Sequence, residues 1–268
     1  TLISEALNVA GHDKYPAGKM HGFAATIGGD IGSFHHNLLA HNQGRNWSIG
    51  GGLNGDGYYT GRLDIRNNVV YNWSGNSTYG GENGEYNIVN NYFKAGPATT
   101  SSKLNRIVSP SEPYGKFYVA GNFVSGFKEI SDNNWRGGIQ CNNPEEAKLT
   151  TEITISNTIK TDDSLEAYNV VLKNAGSNIC RDIVDERVVK SVQSGKAFFK
   201  NGIIDSQNDV GGWPNLEIKK VKKDSDNDGI PDFWEIQNKL NPNENDSNLK
   251  TLSKIYSNIE IYSNSLIN

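Results

Sequence analysis

The chain has 268 residues, a net charge of −4 and an apolar content of only 35%. No apolar run approaches the roughly 18 to 20 residues that a membrane span needs, which excludes an integral membrane protein. The acidic balance also argues against a protein that binds nucleic acid through a broad basic face. With 29 glycines, 12 tyrosines and 5 tryptophans, the composition differs from that of a disordered chain and favours a folded, β-rich protein.

A short pattern of apolar residues around an asparagine recurs through the first half of the chain. Its equivalent positions, spaced by 31, 23 and 31 residues, are Asn37, Asn68, Asn91 and Asn122. Such a period indicates a repeat architecture whose units bury their apolar faces by stacking. Strand-sized pieces between Gly, Asn and Ser clusters favour an all-β, right-handed parallel β-helix; a β-sandwich with Asn-rich loops is the alternative. At a tight corner, these asparagines are predicted to adopt the left-handed conformation and to bond their counterparts one coil away.

The pattern changes near residue 144. Helical spacing over 165–172 and 184–194, followed by Gly176 and Gly195 as stop signals, predicts two helices that cap the solenoid or pack against it. Cys141 and Cys180 lack the spacing of a zinc site, and one disulfide or two thiols remain open. The predicted divisions are β-helix coils, a helical capping region of the same domain, a linker and a calcium-binding tail (1–143, 144–210, 211–223 and 224–268).

An EF-hand-like acidic loop opens the tail. Counted from its first aspartate, acids stand at positions 1, 3, 5, 9 and 12 with glycine at position 6. Calcium prefers six to eight oxygen ligands, and this spacing wraps carboxylates and one carbonyl around a point. The predicted ligands are Asp224, Asp226, Asp228, the Ile230 carbonyl, Asp232 and Glu235. We expect a structural calcium ion, since every position is filled by protein; a solvated acidic linker is the alternative. A more degenerate half-loop follows, with Asp246, Asn248, Asn258 and Glu260.

A second group of candidate residues is basic. Lys19 and Arg45 lie 26 residues apart, close to one coil, so both are expected on one sheet about 5 Å apart. An anion such as a uronate carboxylate between Lys19 and Arg45 would relieve their repulsion. The alternative is that they are two unrelated surface cations that bind no ligand. Arg66 and Arg62 would extend this basic stripe onto the next coil. For the histidines, at least one of the adjacent pair at 35 and 36 is expected in the core. Trp47 and Trp73 offer faces for stacking on sugar, and Trp47 and His21 are predicted to bind the substrate.

These residues resemble the pectate lyases of polysaccharide lyase family 1. The resemblance extends over residues 1 to about 200, and its most specific pieces are the His-His-Asn run at 35–37 and Asn-Asn-Val-Val-Tyr-Asn-Trp at 67–73. The tail loop resembles the thrombospondin type 3 or dockerin-like calcium repeats. The resemblance implies a right-handed parallel β-helix and a secreted, cell-surface or periplasmic enzyme that cleaves polygalacturonate by calcium-assisted β-elimination. It further implies that Arg45 is the catalytic arginine and Lys19 a catalytic-site lysine that binds substrate.

In that family the ligands of the catalytic calcium would lie on strands before Thr1. The resemblance therefore implies one of two things: either the chain is one piece of a cleaved or truncated enzyme, with the N-terminal fragment of the same protein as a partner, or the site is incomplete. Two other functions stay open at this stage. One is a non-catalytic solenoid that binds an acidic glycan, and the other is a lyase acting on a different uronate-containing glycan.

Overall fold

The structure is a computed structural model that describes residues 1–9, 11, 13–50, 61–155, 159–216 and 220–266. Its strands form three parallel sheets, in which each strand pairs with the strand three places further along the chain. The sheets have the orders β1-β4-β7-β10-β13, β2-β5-β8-β11 and β3-β6-β9-β12, and the strands are Leu2–Ser4 (β1), Thr26–Ile27 (β2), Ile31–His35 (β3), Leu38–Ala40 (β4), Ser48–Ile49 (β5), Arg62–Arg66 (β6), Val69–Tyr71 (β7), Thr78–Gly80 (β8), Glu85–Val89 (β9), Tyr92–Lys94 (β10), Val108–Pro110 (β11), Lys116–Ala120 (β12) and Phe123–Val124 (β13). Three parallel sheets visited in rotation by successive coils fit the predicted right-handed parallel β-helix.

Apolar side chains stack in register along the inside of the coils. In one sheet, Leu39 pairs with Val70, which pairs with Phe93, which pairs in turn with Val124. In another, Leu63 pairs with Tyr86, and all six side chains are buried in one continuous core. Each coil therefore buries its apolar residues against its neighbours, as expected for a solenoid.

The recurrent asparagines form a buried ladder along one corner. The Oδ1 atom of Asn68 accepts bonds from the backbone and side-chain nitrogens of Asn37, at 3.0 and 2.9 Å. The same pair of bonds runs from Asn68 to Asn91 and from Asn91 to Asn122. The ladder continues to Asn134, whose Oδ1 accepts both nitrogens of Asn122. The predicted bonding from coil to coil is confirmed.

The left-handed residue of each corner differs from the prediction. It is the residue just before each ladder asparagine, namely His36, Asn67, Asn90 and Gly121 with φ of 52°, 55°, 52° and 67°. The preceding residue makes the turn, and the ladder asparagine is thereby free to point its amide along the stack.

Two helices lie where the sequence predicted helical spacing. They are α2 (Ser164–Asn174) and α3 (Ile183–Ser194), which begin at the side-chain caps of Asp163 and Asp182. Their apolar faces pack on the outer face of the β1-β4-β7-β10-β13 sheet, in a cluster separate from the interior core. They thus cover the side of the solenoid. The short helix α1 (Lys128–Asp132) lies next to β13, the last strand of that sheet.

The chain separates into two compact units, Thr1–Pro214 and Asn215–Asn268. The first also contains two 3-10 helices, at Ser101–Lys103 and Gln207–Val210. The second has helices α4 (Asp232–Gln237) and α5 (Asn258–Ser265) around a small core of its own. Within the described residues, no helix has the length and apolar character that a membrane crossing requires.

Candidate active site and calcium loop

Arg45 lies in the turn that joins β4 to β5. Its backbone is left-handed, with φ of 59°, and its Nη1 atom donates a 3.2 Å hydrogen bond to Thr26 Oγ1 on the neighbouring coil. The guanidinium carbon is 4.4 Å from the centre of the Phe23 ring, within the range of a cation–π contact. Among the described residues, Thr26 is the one hydrogen-bond partner of the Arg45 side chain. The Nε–H group of Arg45 is buried without a partner, so the donors available to an anion are those of the two Nη atoms that Thr26 does not use.

A row of rings continues from Arg45. The ring centroids of Phe23 and His21 are 4.4 Å apart, and those of His21 and Tyr15 are 5.1 Å apart. His21 was predicted to bind substrate, whereas Phe23 and Tyr15 were not predicted from the sequence. The interval between Phe23 and Arg45 equals that between the paired residues Thr26 and Ser48, but this offset is known from the structure and not from the sequence.

Lys19 lies in an exposed turn, in which its backbone amide donates to the Pro16 carbonyl at 3.1 Å. The expected alignment of Lys19 with Arg45 is not found, because the coil at this level is shorter than 26 residues. Phe23 pairs with Gly44 across the coils, and Ala25 N donates to the Arg45 carbonyl. The backbone next to Arg45 is therefore that of Phe23 to Ala25, and Lys19 stands just before the paired segment.

Trp47 faces inward, against expectation. It is 3% exposed, belongs to the interior core and has its ring centroid 5.8 Å from that of Phe34. The pattern of inward and outward residues cannot be read through the irregular turn before β5. With its ring covered, Trp47 has no face for a sugar and is left out of the proposed binding set.

The two arginines of the next coil also differ from the prediction. Arg66 and Arg62 lie on β6, in a different sheet from the strands next to Arg45. The guanidinium of Arg66 forms bonds of 2.6 and 2.7 Å to Asp64 and one of 2.5 Å to Glu152. Arg66 is therefore engaged in an internal ion-pair network, and Arg62 is an exposed side chain at the start of its strand. Neither extends a basic stripe from Arg45.

The histidines are distributed otherwise than expected. His35 is exposed and His36 half-buried, so neither lies in the core. Their Nδ1 atoms are 2.9 Å apart, and His36 Nε2 lies 3.1 Å from Asp162 Oδ2. The buried imidazole is that of His41, whose Nε2 lies 2.5 Å from Ser191 Oγ on α3. His41 thereby joins the β-helix to the helices on its side.

In the second unit, the acidic loop brings carboxylates together. Ligand atoms of Asp224, Asp226 and Asp228 lie within 4.8 Å of one another, and so do those of Asp228, Glu235 and Asp246. Asp228 belongs to both groups, and its Oδ2 accepts the backbone nitrogens of Asp246 and Ser247. Five carboxylates thus converge around one region, and one of them, Asp246, was predicted as part of a separate half-loop.

The loop differs from the predicted ligand set at Asp232. Its two carboxylate oxygens accept bonds from the Ser225 backbone and hydroxyl and from Lys223 Nζ, the last at 2.8 Å. Asp232 is outside both groups of converging carboxylates. Ile230 is fully buried and its amide donates to Asp228 Oδ1.

The later half-loop does not form a second metal loop. Asn258 bonds Asp246 and the backbone amide of Thr251, whereas Glu260 caps α5.

The carboxylates fit a hard cation. Glu235 is fully buried, and neither of its oxygens has a hydrogen-bond partner among the described residues; Asp226 Oδ2 is in the same state. Burial, together with the neighbouring carboxylates, raises the pKa of Glu235 to about 7. A buried carboxylate without a partner is costly unless a cation or a proton neutralises it. Oxygen ligands alone suit calcium or magnesium more than zinc or copper.

The fold is a parallel β-helix, and its candidate site is an arginine that packs against the first of a row of aromatic rings. No family model matches the sequence. The chain is similar to a probable pectate lyase C of Aspergillus fumigatus, 32% identical over 88% of this chain and 53% of that protein. The corresponding values are 32%, 88% and 53% for a probable pectate lyase C of Aspergillus flavus, and 33%, 88% and 53% for one of Neosartorya fischeri. The chain spans about half the length of these relatives, and the similarity supports a pectate lyase-like family.

Proposed function

We propose that this chain belongs to a secreted lyase that cleaves pectate, the polygalacturonate chain, by calcium-assisted β-elimination. The observation that carries the proposal is the similarity to three probable pectate lyases across 88% of the chain, on a β-helix that presents Arg45 with free donors. An acidic polysaccharide suits that site because its repeating carboxylates are ligands for arginine and lysine.

The reaction determines what the residues must do. A base removes the proton from C5 of a uronate ring, the electrons form the bond between C4 and C5, and the bond from C4 to its glycosidic oxygen breaks. That oxygen leaves with a proton taken from solvent water. Negative charge grows on the C6 carboxylate during proton removal, so cationic groups fixed at that carboxylate stabilise the transition state.

Arg45 is the proposed base, a role in which one of its guanidinium nitrogens must be unprotonated when it takes the C5 proton. Thr26 and the ring of Phe23 hold its side chain in one orientation, which places the remaining donors toward the ligand at little cost in side-chain entropy. Lys19 is proposed to bind the carboxylate of an adjacent sugar from its exposed turn. His21, half-buried between two rings, is proposed to line the same surface.

A bound calcium ion would supply further positive charge at the substrate carboxylate. Within the described part of the first unit, however, no three carboxylate, imidazole or thiol groups lie close enough to hold one. The steps above therefore rest on the residues of this chain alone. The alternative function is a solenoid that binds acidic glycan without cleaving it.

For the second unit we propose a structural calcium site. Its ligands would be Asp224, Asp226, Asp228, Glu235 and Asp246, with the Ile230 carbonyl as a further oxygen. The buried oxygens of Glu235 that lack partners support this assignment. Asp232 instead holds the start of the loop through Ser225 and Lys223.

One assay separates the candidate functions. The full chain is mixed with polygalacturonate and calcium, and the absorbance of the unsaturated product is followed. A pectate lyase produces that absorbance, whereas a binding solenoid retains the polymer without producing it. A lyase for another glycan produces it only with a different uronate polymer, and no product with any such polymer would overturn the enzymatic proposal.

A further inference from the structure

A groove of about 420 Å³ lies along the outer face of α3. One wall is the helix, which contributes Ile183, Arg187 and Lys190 at helical spacing. The other is the segment that returns after Gly195, with Lys196 and Phe198. The volume is in the range typical of small-ligand sites, and such sites combine apolar surface with a few well-placed polar groups.

The apolar side of the groove is open to solvent. Phe198 is 69% exposed and Ile183 65% exposed. The guanidinium carbon of Arg187 lies 5.7 Å from the centre of the Phe198 ring. An exposed aromatic ring held beside a cation offers a flat apolar surface on which a sugar ring can lie.

The polar side of the groove carries cations that differ in how far they are neutralised. Arg187 forms an ion pair with Glu5 and donates to the Val210 carbonyl, so it is a fixed part of the wall. Lys190 lies 3.2 Å from Glu186 in an exposed pair, which contributes little and is easily exchanged. Lys196 is exposed, and across the described ranges no carboxylate is paired with its ammonium group.

We propose that this groove is a second binding site for acidic polysaccharide, distinct from the site at Arg45, in which a uronate ring lies on Phe198 while its carboxylate binds Lys196 and Lys190. The inference rests on the proposed function for its choice of ligand. An apolar peptide would have no use for the lysines, and a small inorganic anion would have no use for the ring. A uronate unit uses both.

The site would add a point of attachment for a long polymer. When one polysaccharide molecule is bound at one of the two sites, its effective concentration at the other site is raised. A short oligomer can occupy only one of the two sites and gains nothing from the second. Loss of the groove should therefore weaken binding of the polymer and leave the reaction of a short oligomer unchanged.

The test uses the full chain with Arg45→Lys, which keeps the positive charge at the other site and stops cleavage if Arg45 is the base. Its retardation in native gels that contain polygalacturonate is measured with and without Lys196→Ala and Phe198→Ala. We expect the double substitution to weaken the apparent affinity about tenfold. A fully methyl-esterified polymer should retard neither protein. Lys173→Ala, at an exposed lysine on α2, is the matched control and should not change the retardation.

The outcomes distinguish the two proposals. Unchanged retardation of the double variant, or equal retardation by the esterified polymer, overturns the second site. If Lys196→Ala and Phe198→Ala in the chain that retains Arg45 lower kcat on a trigalacturonate, the groove is part of the reaction site, and its separateness is overturned. A protein that forms no unsaturated product but loses polymer binding in the double variant keeps the groove and refutes the lyase.

Discussion

The guanidinium of Arg45 lies against the face of the Phe23 ring, 4.4 Å from its centre, on the adjacent coil of the β-helix. A contact between a cation and a ring is worth about 0.5–2 kcal/mol, depending on its exposure to water. It fixes the guanidinium without using any of its hydrogen-bond donors. The orientation of the Arg45 side chain therefore depends on how the neighbouring coil, which carries Phe23, stacks against its own.

Arg45→Lys is expected to remove most of the turnover on polygalacturonate with little change in thermal stability. Lysine keeps the charge but lacks the planar group that Thr26 and Phe23 orient. Initial rates of product absorbance and the melting temperature are measured together. Turnover that matches the parent protein would mean that Arg45 is not the base.

Lys19→Ala is expected to raise KM for polygalacturonate several-fold and to leave kcat nearly unchanged. The side chain stands in an exposed turn before the paired coil, so its contribution is to binding and not to the orientation of Arg45. The effect should diminish at high salt, which screens exposed charges. An unchanged KM, or a kcat that falls instead, would contradict this role.

Asn91→Ala is expected to destabilise the β-helix by about 3 kcal/mol or more, because it leaves buried donors of Asn68 without an acceptor. Asn37→Ala is the matched comparison. Asn37 donates to the ladder but accepts no bond from another ladder residue, and it is only half-buried. Denaturant unfolding should show a clearly smaller loss of unfolding free energy for Asn37→Ala. Equal losses would mean that the bonds Asn91 accepts from Asn68 do not add to the stability.

The stability of the first unit should fall as the pH is lowered from about 6.5 to about 4. Burial, with a contribution from Arg187, lowers the pKa of His41 to about 4, so the unfolded chain takes up a proton in this interval and the folded chain does not. Asn72 Nδ2 donates to His41 Nδ1 at 2.8 Å, and a proton on Nδ1 would face that donor. The loss is at most about 3 kcal/mol, from 1.36 kcal/mol per pKa unit.

His41→Asn isolates this contribution, since asparagine tolerates the left-handed backbone at this position, where φ is 57°. Urea unfolding of both proteins at a series of pH values should give a shallower dependence between pH 6.5 and 4 for the variant. Parallel curves for the two proteins would assign the acid sensitivity to other groups.

Calcium is expected to raise the melting temperature of the second unit or protect it from protease, and a chelator should reverse the effect. Binding to the folded state alone stabilises by about 2.7 kcal/mol when the free ion is at 100 times Kd. Asp226→Ala with Glu235→Ala should abolish the response and leave cleavage of polygalacturonate largely intact. Asp232→Asn, outside the converging carboxylates, should keep the response. Loss of turnover in the folded double variant would place this loop in the reaction site.

The spacing of residues in the sequence predicted the structural features that depend on residues close together in the chain. The recurrent asparagines predicted the coils and their bonds, and helical spacing with a glycine stop signal predicted the two helices, of which the second ends at Gly195. The spacing failed where distant segments meet. One partner of Arg66 is Glu152, which is far along the chain, and the fifth carboxylate of the acidic loop is Asp246. The offset between paired coils varies with the length of each turn, and so Lys19 and Arg45 could not be aligned by counting.

The asparagine ladder has a consequence for how this molecule can change in evolution. Each rung fixes the position of its coil at one corner, whatever the length of the chain between rungs, as the unequal intervals between Asn68, Asn91 and Asn122 illustrate. Insertions and deletions in the outer turns therefore do not shift the strands that follow. The turn that carries Arg45 is one of these outer segments, so selection can remodel the chemistry at its tip while the stack beneath it keeps its register.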